Sequence, residues 1–360
     1  MTCIDNFSTT YREARDKFLT ACGHTGARLT SYGHPQQGPG GEALATDVAW
    51  LGPAKAERAL VVISATHGVE GFCGSGVQCG LLLESDAPEQ PADTALLLIH
   101  AINPHGFAWL SRVTEDNVDL NRNFVDFDRE LPENTGYRAL ADALVPRHWE
   151  ERSLTTAQAT LDAYANKHGL FGLQTAVSSG QYSHPNGVFY GGNRPTWSRC
   201  IVEQIVREHL PIVQHVAVID LHTGLGPYGY GEPICLNNDA AMLARTRAWF
   251  GTDVTSPVVN DSVSAPLIGH LGLGLVASAP QKQWTIIGLE FGTLPLEDFL
   301  LALRADAWLR AHGDPNDEHT RTVKRQIRNA FYSDEPEWKR KVWERAREMV
   351  TRAYKGLALC

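Results

Sequence analysis

The hydrophobic pattern of the chain predicts strands and helices in alternation. The run at 59–66, ALVVISAT, is apolar almost throughout and rich in β-branched residues, as a strand covered on both faces requires. A second such run lies at 94–101, and the apolar segment between them, 72–84, suits a helix, so the three make a βαβ unit. Two more buried strands are expected at 213–220 and 285–291.

Upstream, helical spacing of Phe7, Tyr11, Phe18 and Leu19 marks 5–23, and a Gly/Pro-rich stretch at 33–41 separates it from a hairpin or edge strand at 43–51. Between the second and third strands the pattern predicts a long polar loop at 103–135 and helices at 136–147 and 153–168. An irregular Gly/Ser/Asn/Pro stretch at 172–196 and a helix at 197–209 follow. A long irregular stretch in a compact domain is more often functional than idle. Segments 296–312, 318–331 and 336–355 read as charged amphipathic helices anchored by Trp308, Phe331, Trp338 and Trp343. The expected fold class is α/β: a central mixed, largely parallel twisted sheet flanked by helices, with a helical C-terminal tail. No repeat or linker divides the chain, so 1–360 reads as one domain, with a core at about 40–300 and a helical extension at about 301–360.

Composition narrows the partners. With 360 residues and 43% apolar content the chain can bury a sizeable core. Its 41 acids and 32 bases, net charge −9, are interleaved and leave no basic face for a nucleic-acid backbone. The start, MTCIDNFSTTYREARDKF, lacks a signal-peptide pattern, and no stretch approaches the roughly 20 apolar residues of a membrane span. The expectation is a cytoplasmic protein with no membrane partner. Seven scattered cysteines without a CxxC pair fit reduced thiols better than disulfides or a cysteine zinc site.

Chemistry concentrates at strand ends, where open α/β sheets bind ligands. His67 and Glu70 follow the first strong strand, His222 follows the third, and Glu290 ends the fourth. His67 and Glu70, three apart, can face one point from a tight turn, and a third ligand from another strand leaves the open position that a catalytic zinc site requires. The alternatives are a loop histidine for His67, a helix N-terminal carboxylate for Glu70, and for Glu290 a strand-end carboxylate paired with an arginine. Alternation along the strand puts Asp220 and His222 on one side, so Asp220 either orients the imidazole or caps a nearby helix. Asn121 and Arg122 are adjacent in a loop, with Arg112 just upstream. A guanidinium beside an amide clamps a carboxylate, and a second arginine polarises a scissile carbonyl; the competing reading is structural or surface arginines.

Other patterns carry less. Residues 224–229 spell GxGxxG, but Pro227, Gly229, Gly231 and Pro233 make a loop where a nucleotide fingerprint opens a helix, and the glycines read as a flexible rim beside His222. Ser75 and Ser264 lack a nucleophile elbow. His100 and His215 lie in strand patterns, His105 follows a turn expected at Asn103-Pro104, and His184 stays open.

In order along the chain, HGVEG (67–71), NVDLNRNF (117–124), DLHTG (220–224) and GLEFGT (288–293) together resemble the zinc carboxypeptidase superfamily. Within it the chain looks closest to the DUF2817 branch, near succinylglutamate desuccinylase and aspartoacylase, and residues 180–192 also look typical of that branch. The resemblance implies one Zn2+ per chain held by His67, Glu70 and His222, a substrate carboxylate recognised by Asn121 and Arg122, Glu290 as general base and Arg112 as the carbonyl-polarising arginine. Tyr182, Tyr190, Tyr228 and Tyr230 compete for any tyrosine role, with Tyr190 and Tyr230 taken as substrate-binding candidates. The implied activity is hydrolysis of an amide next to a free carboxylate, on a peptide or peptide-like small molecule. The alternative is removal of an acyl group from an amino acid. A metal-binding recognition protein is a third class, and Glu290 weighs against it. The C-terminal helices read as a substrate lid or a subunit interface, which leaves a homo-oligomer open.

Overall fold

The buried runs pair into one sheet in the computed structural model, which describes residues 2–259, 261–314 and 317–360. Among these residues the strands are β1 (Arg28–Gln37), β2 (Ala43–Leu51), β3 (Arg58–Ile63), β4 (Thr94–His100), β5 (His215–Tyr228), β6 (Gly231–Ile234) and β7 (Gln283–Gly292), in the order β1-β2-β4-β3-β5-β7-β6. β4, β3, β5 and β7 run parallel, while β1 and β2 at one edge and β6 at the other are antiparallel. The sheet is therefore mixed with a parallel centre, as the pattern predicts.

The helices are α1 (Tyr11–Thr25), α2 (Gly71–Leu83), α3 (Pro104–Ala108), α4 (Thr135–Leu144), α5 (Glu151–Ser178), α6 (Trp197–His209), α7 (Ala240–Phe250), α8 (Leu271–Ser278), α9 (Leu296–His312), α10 (Glu318–Phe331) and α11 (Pro336–Leu357). They cover both faces, which is why the central strands are apolar without alternation. Leu60 and Val62 of β3 join a core with Phe18 of α1, Phe72 of α2, Phe331 of α10 and Trp338 of α11. Val61 and Ile63, pointing the other way, pack with Ile205 of α6 and Leu275 of α8. Among the described residues no helix is long and apolar enough to cross a membrane.

Several boundaries differ from the sequence reading. β1 runs into the Gly/Pro-rich stretch, and the ladder with β2 shifts register between Gly33 and Gln37, where Pro35 has no N–H to donate. β5 continues past 220 to Tyr228 because β7 pairs with it through Gly224 and again at Tyr228, so His222 lies within a strand and the expected rim loop is largely strand. The helix expected at 153–168 does not stop there. α5 is interrupted only at Gly169, φ 78° and ψ 162°, and resumes to Ser178, so the irregular stretch begins later than 172. Short β6, α7 and α8 lie where no element was expected.

β3 and β5 are neighbours, yet β3 connects through α2 to β4 on its other side. Strand order reverses between them, and the connections part to leave a crevice at the carboxyl ends of the two strands.

Candidate metal centre and active site

A tight turn carries the chain off β3. Ala65 takes a left-handed backbone, φ 59°, and residues 68–70 form a single 3-10 turn that runs into α2. Gly68 is demanded by space: a Cβ there would lie 2.1 Å from the backbone carbon of Gly106 and 2.3 Å from the nitrogen of Phe107. The same turn is stitched to its neighbour by Gly68 N–H to the Arg112 carbonyl (3.0 Å) and Val69 N–H to that of Ser111 (2.9 Å). So held, His67 Nδ1 lies 2.8 Å from Glu70 Oε1. From β5, His222 Nδ1 lies 2.9 Å from Glu70 Oε2 and 3.3 Å from His67 Nδ1.

These three buried donors form the metal-type group found among the described residues, their ligand atoms all within 4.8 Å of one another. The residues fit a tetrahedral cation. Bonds of about 2.0–2.1 Å put two donors about 3.3–3.4 Å apart, close to the separation of the two imidazole nitrogens. Burial alone would raise Glu70, but the charge on His67 and hydrogen bonds from His222 and His67 outweigh it and hold the carboxyl down to about 2. Burial also opposes a charged His222, yet Asp220 and then Glu70 hold its proton well above the usual histidine range.

Carboxylates orient both imidazoles from behind. Asp220 Oδ2 lies 2.7 Å from His222 Nε2, and its Oδ1 accepts from Thr66 Oγ1 at 2.7 Å. Asp119, which the sequence reading did not single out, is the hub on the other side. Its Oδ1 is 3.3 Å from His67 Nε2 and accepts the Asn121 N–H at 3.0 Å, while Oδ2 accepts from Arg112 Nε at 3.0 Å. Burial would raise Asp119, but Arg112, Arg122 and His67 together hold it well below the carboxylate range. Its signal in the sequence was its place as the single acid inside NVDLNRNF.

His67, His222, Glu290, Arg112, Asn121 and Arg122 all reach one cavity of about 290 Å³. Glu290 stands beside His222 across the β5–β7 pair, partly open to this space, and Oε1 accepts the Leu225 N–H at 2.9 Å. Burial and then the nearby Glu70 push its pKa up to about 7, against His222, the Leu225 N–H and Arg112. Arg112 places Nη2 2.7 Å from His67 Nε2 and Nη1 3.4 Å from Glu70 Oε1. Arg122 commits Nε and Nη2 to the Ser178 carbonyl and Nη1 to that of Asn121, at 3.1, 2.5 and 2.9 Å, so three of its five N–H donors are used. Burial lowers it to about 10 against the pull of Asp119. Asn121 Oδ1 accepts the Leu271 N–H at 2.8 Å, leaving its Nδ2 as the uncommitted donor.

The tyrosines are placed otherwise. Tyr190 is buried with its carbonyl accepting the Asp119 N–H at 2.8 Å, and Tyr230 lies against Arg345 of α11; neither lines the cavity. Tyr182 donates to the Arg122 carbonyl at 2.7 Å, and Tyr228 pairs with Ser333. His100 is buried and His105 half-buried, and that burial holds both neutral, lowered to about 4.

An α/β protein with a buried His–Glu–His donor set at the switch point of its sheet is the class that fold and site define. Over residues 7–345 the sequence matches the family described as a protein of unknown function, DUF2817, and the chain belongs to that family. None of the curated proteins compared with it matches. Among solved structures it is similar to the carboxypeptidase A from Helicoverpa armigera, at 13% identity over 91% of this chain and 75% of that one, TM-score 0.44. It is also similar to an aspartoacylase family protein from Mesorhizobium loti, at 16% identity over 78% and 67%, TM-score 0.38. A murein-tripeptide amidase from Escherichia coli O157 matches at 17% identity over 80% and 93%, TM-score 0.35. At TM-scores below 0.5 these likenesses carry no functional weight.

Proposed function

We propose that the protein is a zinc-dependent hydrolase that cleaves an amide bond adjacent to a free carboxylate. The observation that supports this most is one cavity lined by His67 and His222 of the His67–Glu70–His222 donor set, by Glu290, a carboxyl group with a pKa near neutrality, and by a cationic pocket at Asn121 and Arg122.

A zinc ion in such a site supplies Lewis acidity, acidifying water and polarising a carbonyl. The protein's own residues do the rest. Glu290, poised near 7, accepts a proton from the attacking water and returns it to the departing nitrogen, the task for which a carboxyl tuned to the working pH is best suited. Arg112 faces the developing negative charge on the carbonyl oxygen with the N–H groups that His67, Glu70 and Asp119 leave free. Asn121 Nδ2 and the two uncommitted N–H groups of Arg122 hold the substrate carboxylate. Tyr190 and Tyr230 are not needed for these steps. A recognition protein without turnover has no use for Glu290 beside the donor set.

Metal analysis of the purified protein with a panel of free-acid peptides, their amides and N-acyl amino acids tests this. We expect zinc near one per chain, cleavage confined to substrates with a free carboxylate, loss of zinc in His67→Ala, and in Glu290→Gln retained zinc with turnover reduced about 10²- to 10⁴-fold. Full zinc occupancy in His67→Ala overturns the metal assignment, and normal turnover in Glu290→Gln overturns the mechanism.

A further inference from the structure

Above its polar floor the cavity has two apolar walls. One is the second half of α5, which restarts after the break at Gly169 and sets Leu170, Leu173 and Val177 in one stripe at helical spacing, with Phe171 beside it. The other is α9, where Leu296, Phe299, Leu300 and Leu303 repeat at i, i+3, i+4 and i+7. At the mouth these walls stay open to solvent, with Leu170 79% exposed, Phe171 49% and Leu296 56%. Apolar side chains exposed on both sides of a cavity mouth, Leu170 and Phe171 on one and Leu296 on the other, mark a place that a ligand covers.

The hydroxyls on the walls, and one of the two N–H groups of Gln174, are already engaged. Gln174 Nε2 donates to the Val263 carbonyl at 2.7 Å and Ser178 Oγ to that of Gln174 at 2.7 Å. Thr223 Oγ1 donates to Phe331 at 2.5 Å and Ser264 Oγ to Ala265 at 3.0 Å, each to a backbone carbonyl. A peptide extending along these walls would bury its own carbonyls with one spare side-chain N–H, on Gln174 Nε2, to meet them, whereas an alkyl chain brings no polar groups to satisfy. At about 290 Å³ the cavity stands at the small end of ligand pockets, roughly 300–1,000 Å³, which suits a chain of moderate length.

We propose that the substrate is an amphiphilic N-acyl amino acid whose carboxylate sits at Asn121 and Arg122 and whose aliphatic acyl chain lies between α5 and α9. This rests on the amide-hydrolase reading above and selects the acyl side of it. In the reaction the oxygen of water forms the new C–O bond and the amide C–N bond breaks. One proton of that water reaches the amino nitrogen through Glu290, and the other leaves the new carboxyl group as it ionises. The products are a fatty carboxylate and a free amino acid.

The experiment uses the zinc-loaded full chain and a graded series of N-acetyl-, N-hexanoyl-, N-octanoyl- and N-decanoyl-alanine, with an alanine-terminated tripeptide for comparison. We expect kcat/KM to rise about three- to fourfold per methylene while the chain stays between the walls, and then to level off. Leu170→Ser and Phe171→Ser, both at exposed positions, should each lower the octanoyl-to-acetyl ratio about tenfold. Calorimetric binding of the same series to Glu290→Gln protein separates the two claims. Tighter binding with chain length but no hydrolysis by the wild type overturns the hydrolase and keeps the acyl-chain site. Hydrolysis or binding indifferent to chain length, or a tripeptide preferred over the octanoyl compound, overturns the acyl-chain proposal and leaves the hydrolase standing.

Discussion

Asp220 fixes the ring of His222 through Nε2 and is itself fixed by Thr66, so the nitrogen left to face the cavity centre is Nδ1. Asp220→Asn keeps the shape and removes the charge, and zinc affinity should fall about ten- to a hundredfold in a competitive chelator titration, with the fold intact by circular dichroism. A second residue predicts a pH effect remote from the site. His100 is fully buried, bonded to Ser75 Oγ at 3.0 Å and stacked on Phe18, and burial lowers its pKa to about 4. Between an unfolded value near 6.5 and this folded value the unfolded chain binds more protons. The histidine's contribution is thus complete above about 6.5 and is lost as pH falls toward 4, by up to about 1.4 kcal/mol per pH unit. In urea unfolding across that window, the stability of wild type relative to His100→Gln should decline with falling pH; a constant difference would mean that His100 titrates normally. At this scale the donor residues were legible because each stands at or just past a buried strand. Asp119 was not, because its partners His67 and Arg112 reach it from outside the motif and only the fold reveals the meeting.

Elements aim these residues, and the tightest of them is the turn after β3. A methyl group on residue 68 would overlap the backbone of Gly106 and Phe107, which no side-chain rotation relieves. Gly68→Ala should cost about 1–3 kcal/mol or more in denaturant unfolding and weaken zinc binding, since His67 adjoins the displaced segment. Wild-type affinity and stability would show that the turn has slack. The strands β3, β4 and β7 were readable from their apolar runs. The second half of α5 was not, because Gly169 and the Gly/Ser/Asn composition that follows signal a loop, while packing of Val177 and Ala176 into the core maintains the helix. β5 likewise overran its expected end. Its glycines 224 and 226 lower strand propensity, but pairing with β7 continues through Gly224.

Across the molecule the α/β plan and its parallel centre followed from the order of buried runs. Sheet order, by contrast, depends on which strands meet, and local pattern is silent on that until the chain is folded. The C-terminal helices are part of the same packing: Trp338 and Phe331 are fully buried in the core that holds Leu60 and Val62 of β3, and Trp338 Nε1 donates to the Gly292 carbonyl at 2.9 Å. The donor set also links distant parts of the chain, since Glu70 and His222 are 152 residues apart and meet only when β3 and β5 lie side by side. In the unfolded chain they have no fixed separation, so a cation that needs all three donors binds the native state and not the denatured one. By mass action, free zinc at a thousand times its dissociation constant adds about 4 kcal/mol. The melting temperature should therefore climb with the logarithm of zinc concentration and drop on chelation, and a melt indifferent to zinc would argue against the site. The crevice that we read as catalytic is then also a removable clasp across the centre of the sheet, and the protein's survival against proteases would track the zinc supply of its surroundings.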